Sequence, residues 1–275
     1  MAIIGLVGLG LIGGSLGLDF RSSGHRVLGV SRQQSTCERA LVKGVVDKAS
    51  QDLALLKNCE VVFICTPIPL VLPTLEKLQK VLSPQTIITD VASVKGPIVG
   101  AATAQWPRFV GGHPMAGTAH QGVEAAEAGL FHHRPYALTP LATTDTQALE
   151  TVHQLVLGLG SKLVVFSPEV HDQLVAQVSH LPVMVSAALL LSVGDIDKAQ
   201  QLAGPGFQDT SRVGGGNPDL GLAMAQHNRT AILESLKQFR AALDHLEGQI
   251  QEQDWEGLQA QLESSRQIRT GFFPS

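Results

Sequence analysis

The chain has 275 residues, 44% of them hydrophobic, and a net charge of −4, which is enough for two domains with real cores. It carries no Lys/Arg cluster or basic stripe, so a nucleic-acid partner is not expected. Its cysteines, Cys37, Cys59 and Cys65, lack metal-type spacing and are expected to be reduced thiols in a cytoplasmic protein.

Residues 2–18 are uncharged and mostly apolar, but no basic segment precedes them and glycines interrupt the run. They are therefore read as neither signal peptide nor membrane span. Strands are predicted over 2–7, 26–30, 61–65, 86–91, 109–111, 136–138 and 163–166. Helices are predicted over 11–22, 35–43, 68–82, 95–104 and 146–157. Apolar strands alternating with helices predict an α/β fold, a doubly wound, mostly parallel Rossmann sheet covered on both faces.

After Phe166 the β pattern ends, and Ser167-Pro168-Glu169 reads as a helix start. The rest is predicted to be helical, with breaks at 194–195, 204–206 and 214–218. The apolar run 181–193 contains Pro182 and is short for a bilayer, so it is expected as a buried helix without membrane contact. Ile232, Leu236, Phe239, Leu243, Leu246 and Ile250 form a heptad-like seam, either the core face of one helix or a subunit interface. The expected division is a dinucleotide-binding domain over 1–166 and an all-helical substrate and dimerisation domain over 167–275.

Gly8, Gly10 and Gly13 spell G-x-G-x-x-G between the first strand and first helix. Gly8 permits the tight turn, Gly10 admits the pyrophosphate, and Gly13 allows close helix–strand packing. Leu11 and Ile12 open the helix, whose free N–H groups face the phosphates. The second strand ends in Ser31-Arg32 instead of the acid that binds a ribose 2′-hydroxyl. A guanidinium suits a 2′-phosphate, so NADP is the expected cofactor.

In such sheets ligands lie beyond the carboxyl ends of the strands. Three ends carry notable residues: Cys65-Thr66-Pro67, the stretch Asp90–Lys95 with Ser93, and Gly112-His113-Pro114 just after an apolar strand. Removing hydride from a carbinol calls for a group that takes the hydroxyl proton near neutral pH, which fits His113. His132 and His133 are neighbours whose side chains should diverge, and with His120 they belong to a polar loop over 116–133 that could cover the site. No metal site is expected.

The fingerprint, DVASVK (90–95), GHPMAG (112–117), SHLP (179–182), GFQDTSR (206–212) and Asn217-Pro218 together resemble the prephenate/arogenate dehydrogenases of tyrosine biosynthesis. Chain length and Ser31-Arg32 look most like the short cyanobacterial NADP-dependent arogenate dehydrogenases. The match spans essentially the whole chain and leaves no room for an appended mutase or regulatory domain.

The resemblance implies a homodimer joined through the helical domain, and oxidative decarboxylation of a cyclohexadienol. It assigns His113 as the catalytic histidine, Ser93 as the serine that orients it or the hydroxyl, and Arg212 as the partner of a substrate carboxylate. His180 is either a packed histidine or a substrate contact. Many relatives follow SHLP with a second histidine where this chain has Val183, which fits arogenate over prephenate. Asp209 or another acid would then read the substrate ammonium.

Two other readings compete. Prephenate would give 4-hydroxyphenylpyruvate, and a non-catalytic NAD(P)-sensing module would keep the fold without the chemistry. Hydroxyacid dehydrogenases with a catalytic lysine fit poorly, because neither Lys198 nor Lys237 sits in a matching motif.

Overall fold

A computed structural model describes residues 1–118, 120–194 and 198–273. Ala119, in the loop expected over the site, and Asp195, at the break expected after the apolar helix, lie outside the described residues.

The first half alternates as the apolar pattern requires: β1 (Ile3–Val7), α1 (Leu11–Ser22), β2 (Arg26–Val30), α2 (Gln34–Val42), β3 (Lys48–Ser50), β4 (Val61–Ile64), α3 (Val71–Leu78), β5 (Ile87–Asp90), α4 (Gly96–Gln105), β6 (Phe109–Pro114), β7 (Pro135–Thr139), α5 (Thr146–Gly158) and β8 (Lys162–Val165). They form one sheet in the order β3-β2-β1-β4-β5-β6-β7-β8. Strands β1 to β6 are mutually parallel, β7 is antiparallel to β6, and β8 is parallel to β7. The order reverses between β1 and β4, the crevice where open α/β sheets take their ligands.

Alternation along β4 shows why both faces must be covered. Val61 and Phe63 enter one buried cluster with Leu6, Leu16 and Phe20, whereas Val62 and Ile64 enter the other with Leu75 and Ile98.

Three features of this half differ from expectation by more than one residue, each for a local reason. β3 is an edge strand of three residues, Lys-Ala-Ser, without the β-branched run that announces a strand; its backbone pairing with β2 makes it one. The helix predicted over 68–82 narrows to α3, with a 3₁₀ turn at Ile68–Leu70, where Pro69 restricts the chain. β6 runs past its predicted end at residue 111, so His113 lies inside the strand and not after it. Glycines permit this extension. A Cβ on Gly112 would approach the Asp90 carbonyl oxygen to 2.8 Å, and one on Gly111 would meet Val99 at 2.6 Å.

Beyond the sheet follow α6 (Pro168–Val175), α7 (Leu181–Val193), α8 (Ala199–Leu202), α9 (Pro205–Ser211) and α10 (Pro218–His227). Ser167 caps α6 by accepting from the Val170 N–H, as its sequence predicts. A π turn over Ala176–His180 joins α6 to α7, so Pro168–Val193 is one helical rod of 26 residues. This corrects the expected buried helix over 181–193: Ser186 is the one buried residue of α7, and Leu191 is 83% exposed.

A helix apolar all round needs cover on every side. Close cover comes at Ser186, where Gly214 packs so tightly that a Cβ would sit 2.5 Å from the Ala187 nitrogen. Among the described residues the rod Pro168–Val193 is the one helix whose length and composition would allow it to cross a membrane.

By internal packing the chain divides into Met1–Arg229 and Thr230–Ser275. The second unit holds nearly all of α11 (Arg229–Gln251) and α12 (Trp255–Phe272), the latter capped by Asp254, which accepts from the Gly257 N–H. On the α11 seam Leu243 and Ile250 are exposed, so the core-facing reading fails at those two positions.

Phe63 is fully buried at the sheet centre against Phe20, with ring centroids 5.2 Å apart. Phe63→Ala is expected to lower unfolding free energy by about 3–5 kcal/mol, measured by urea denaturation at constant slope.

Candidate active site

At the end of β1, Gly8 adopts φ +100, and a Cβ there would sit 2.5 Å from the Cys65 carbonyl oxygen. The turn is thus pressed against Cys65-Thr66-Pro67 at the end of β4. A Cβ on Gly13 would strike the Gly8 carbonyl, whereas one on Gly10 would face open space. Gly10 opens α1 with no side-chain cap, so the N–H groups of the first turn, at Leu11 and Ile12, lack a capping side chain. An open cradle floored by glycine at a helix N-terminus suits a dinucleotide pyrophosphate. The Thr66 hydroxyl beside it is buried without a partner among the described residues. At the end of β2, Ser31 is partly buried, and Arg32 is exposed and absent from the ion pairs among the described residues.

His113 is buried on β6, opposite Ala137 of β7. Its Nδ1 lies 2.9 Å from Nε2 of His171, whose Nδ1 lies 2.8 Å from Asp172 Oδ1. Asp172 also accepts the Lys95 N–H (2.8 Å) on Oδ1 and the Gly96 N–H (2.7 Å) on Oδ2, thereby capping the start of α4. Beneath His113, the Lys95 ammonium pairs with Asp90 and donates to the Gly112 carbonyl at 2.8 Å. Burial holds the His113 pKa well below the ordinary histidine value, and His171, Lys95 and His180 all push it the same way. His113 is therefore a neutral imidazole near pH 7. Burial also lowers the Lys95 pKa, against the opposing pull of Asp90.

His180 ends the π turn and is fully buried. Asn228 donates from Nδ2 to the Asp172 carbonyl (2.7 Å) and faces His180 Nδ1 at 3.2 Å. With Nδ1 accepting from that amide, the neutral ring carries its proton on Nε2, which has no partner among the described residues. The Ser93 hydroxyl, in the loop after β5, is likewise buried and unpartnered. Two unanswered polar groups beside a histidine cluster are where a polar ligand is expected.

Arg212 follows α9 and is exposed, outside this cluster. It lines a cavity of about 450 Å³ together with Met115, Gly117, Glu127, His132 and Arg134. The loop behind that cavity is tied to α1: Ser15 accepts from the Glu127 N–H at 3.1 Å and Asp19 from the Gly129 N–H at 2.8 Å.

Contrary to expectation, His132 and His133 do not diverge. His133 takes φ 59, which turns the two rings against each other with centroids 3.8 Å apart. Asp209 is exposed on α9. Among the described residues no group of three or more His, Cys, Asp or Glu is arranged to hold a metal.

Sequence reasoning singled out His113, Ser93, His180 and Arg212 but missed His171, Asp172 and Asn228. A signal was present: Pro168, His171, Asp172 and Val175 occupy the buried stripe of α6 at i, i+3, i+4 and i+7. Two polar residues on a core stripe call for partners of their own.

A glycine cradle at the sheet crevice, with a buried neutral histidine on the strand beside it, defines a Rossmann-type oxidoreductase. Residues 16–165 match the family described as prephenate dehydrogenase, nucleotide-binding domain, and residues 167–264 match prephenate dehydrogenase, dimerization domain. The chain belongs to the prephenate dehydrogenase family. It is similar to the prephenate dehydrogenase of Bacillus subtilis, at 33% identity over 97% of this chain and 75% of that one. Among solved structures, Synechocystis arogenate dehydrogenase is 51% identical with a TM-score of 0.85, covering 98% of this chain and 99% of that one. The Aquifex aeolicus prephenate dehydrogenase in complex with hydroxyphenyl propionate and NAD+ is 28% identical with a TM-score of 0.92, covering 99% and 98%.

Burial pulls the His180 pKa from 6.5 to about 4; His171 adds to this, against Asp172 and the Ser93 backbone. Because the folded value is the lower one, the unfolded chain takes up this proton first as pH falls. Stability is complete above about 6.5 and is lost toward about 4, by at most roughly 1.4 kcal/mol per pH unit from this residue. Urea titrations across that window are expected to show the decline, with a shallower slope in His180→Gln; a flat wild-type profile would refute it.

Proposed function

We propose that the chain is an NADP-dependent arogenate dehydrogenase that oxidatively decarboxylates arogenate to tyrosine in tyrosine biosynthesis. The observation that carries this reading is a buried neutral His113 beside the unpartnered Ser93 hydroxyl and His180 Nε2. Residues 1–166 serve as the nucleotide module and 167–275 as the substrate and dimerisation module, in line with the two family segments.

Gly8, Gly10, Leu11, Ile12 and Gly13 would hold the pyrophosphate, with Cys65-Thr66-Pro67 and Ser93 beside it and Ser31-Arg32 toward a 2′-phosphate. When bound, the nicotinamide supplies the hydride acceptor. His113 accepts the hydrogen bond of the ring hydroxyl and takes up its proton as the carbinol carbon becomes carbonyl-like. Loss of the ring carboxylate as carbon dioxide leaves its electron pair in the ring, which becomes aromatic. The proton then returns from His113 to the phenol oxygen, so none is released by this exchange. Ser93 orients the hydroxyl or His113, His180 donates to a substrate oxygen, and Arg212 pairs with a carboxylate.

Arogenate differs from prephenate in carrying an ammonium, and Glu127 offers a carboxylate in the same cavity lining as Arg212. Val183 in place of a second histidine and the likeness to the Synechocystis enzyme favour the same choice. The Bacillus and Aquifex relatives favour prephenate as the second reading.

The exposed apolar faces of α7 and of the α11 seam fit a homodimer, and three free cysteines fit the cytoplasm.

Reduced-dinucleotide formation is expected with arogenate and more slowly with prephenate. Turnover with prephenate alone would shift the substrate, and turnover with neither would leave a nucleotide-sensing module. His113→Asn is expected to lower kcat by roughly 10²–10⁴-fold at unchanged dinucleotide affinity. Arg32→Ala is expected to raise KM for NADP about tenfold and leave that for NAD alone. Equal wild-type efficiency with both cofactors would defeat the NADP preference.

A further inference from the structure

Asp172, His171 and His113 form a buried chain whose protons can be assigned in order. The Asp172 carboxylate accepts from the backbone N–H groups of Lys95 and Gly96, at 2.8 and 2.7 Å, so it faces His171 as an acceptor. His171 Nδ1, 2.8 Å away, must then be the donor. With Nδ1–H given to Asp172 and the ring uncharged, Nε2 of His171 is the acceptor and His113 Nδ1 at 2.9 Å donates to it. His113 in turn keeps its lone pair on Nε2.

We propose that His171 and Asp172 are positioning residues that lock His113 in the Nδ1–H tautomer, so that Nε2 is the atom that receives the substrate hydroxyl proton. The tautomer follows from this hydrogen-bond chain with an uncharged His171; its use in turnover rests on the reading of His113 given above. The two imidazoles meet edge to face, with centroids 5.1 Å apart and planes at 73°, which also fixes the His113 ring plane.

The remaining charged and titratable neighbours do not compete for Nδ1. Lys95 is occupied by Asp90 and the Gly112 carbonyl, and His180 faces Asn228. Once His113 takes a proton, its Nδ1–H donation strengthens, and His171 passes the polarisation to Asp172. Neither His171 nor Asp172 needs to change protonation state. With an aliphatic residue at 171, both the acceptor for His113 and the donor to Asp172 are lost.

The test uses full-length protein labelled with 15N-histidine, and long-range 15N–1H correlation spectra that report which ring nitrogen of His113 bears hydrogen. Wild type is expected to show Nδ1 protonated and Nε2 bare without substrate; the opposite tautomer would overturn the proposal even in an active enzyme. His171→Leu removes the acceptor and is expected to lose the single tautomer. Its kcat should fall by roughly 10²-fold or more, and the pH profile of kcat should move, at unchanged dinucleotide Kd. In His171→Gln the side-chain oxygen can take the place of Nε2, and both tautomer and most of kcat should return. An unchanged tautomer and pH profile in His171→Leu would also overturn it. Should that variant not fold, the wild-type spectrum and His171→Gln still decide. An intact tautomer in a protein that turns over neither substrate would sink the functional reading and leave the relay geometry standing.

Discussion

The Asp90 carboxylate, at the end of β5, is fully buried and ringed by donors: the Ala92 N–H at 3.0 Å, the Gly112 N–H at 3.1 Å, and the Lys95 ammonium. Lys95 completes the circuit by donating to the Gly112 carbonyl. Two charges placed in the interior cost more than their attraction returns unless every remaining donor and acceptor is answered. Here Asp90 accepts from three groups and Lys95 donates to two, and these bonds clamp the loop after β5 to the strand that carries His113. Removing one partner from a pair of this kind costs about 3–5 kcal/mol, because the other is left charged and unpaired. The pair therefore specifies one position for β6 relative to β5 and makes alternatives expensive.

The second clamp extends the first across the chain. Asp172 on α6 caps α4 through the Lys95 and Gly96 N–H groups, so the residue whose side chain holds β6 also anchors the helical segment through its backbone. Asn228 then ties the Asp172 carbonyl to His180. Two backbone carbonyls, two carboxylates, an ammonium and three imidazoles thus occupy one buried volume, with Ser93 Oγ and His180 Nε2 left unanswered among the described residues. Satisfied polar networks rigidify a core, and the unsatisfied remainder marks where it expects a ligand. The π turn serves the same end. Widening the helix over Ala176–His180 lets α6 and α7 continue as one rod while placing His180 in the cluster.

Much of the fold was legible because its causes are local. The strand over 26–30 and the helix over 11–22 follow directly from apolar runs and glycine punctuation, and Ser167 marks its helix start. β3 was not legible, since three residues without β character become a strand only through the neighbour they pair with. His171 and Asp172 were not recognised because their roles depend on partners 58 and 77 residues away in the chain. The exposure of α7 went unforeseen for a related reason: an apolar sequence states that a surface wants cover but not whether its own chain provides it.

By itself the sequence determined the alternation of strands and helices apart from β3, the glycine cradle, and the identity of the chemical groups at His113, Ser93, His180 and Arg212. Those follow from short-range sterics, hydrophobic periodicity and side-chain chemistry, each written in consecutive residues. The tertiary structure alone decided that His113 lies within β6, that it is neutral and faces His171, and that Asp90 and Lys95 are buried beneath it. Burial and hydrogen-bond partnership belong to the space around a side chain, and that space is filled by residues far away in the chain.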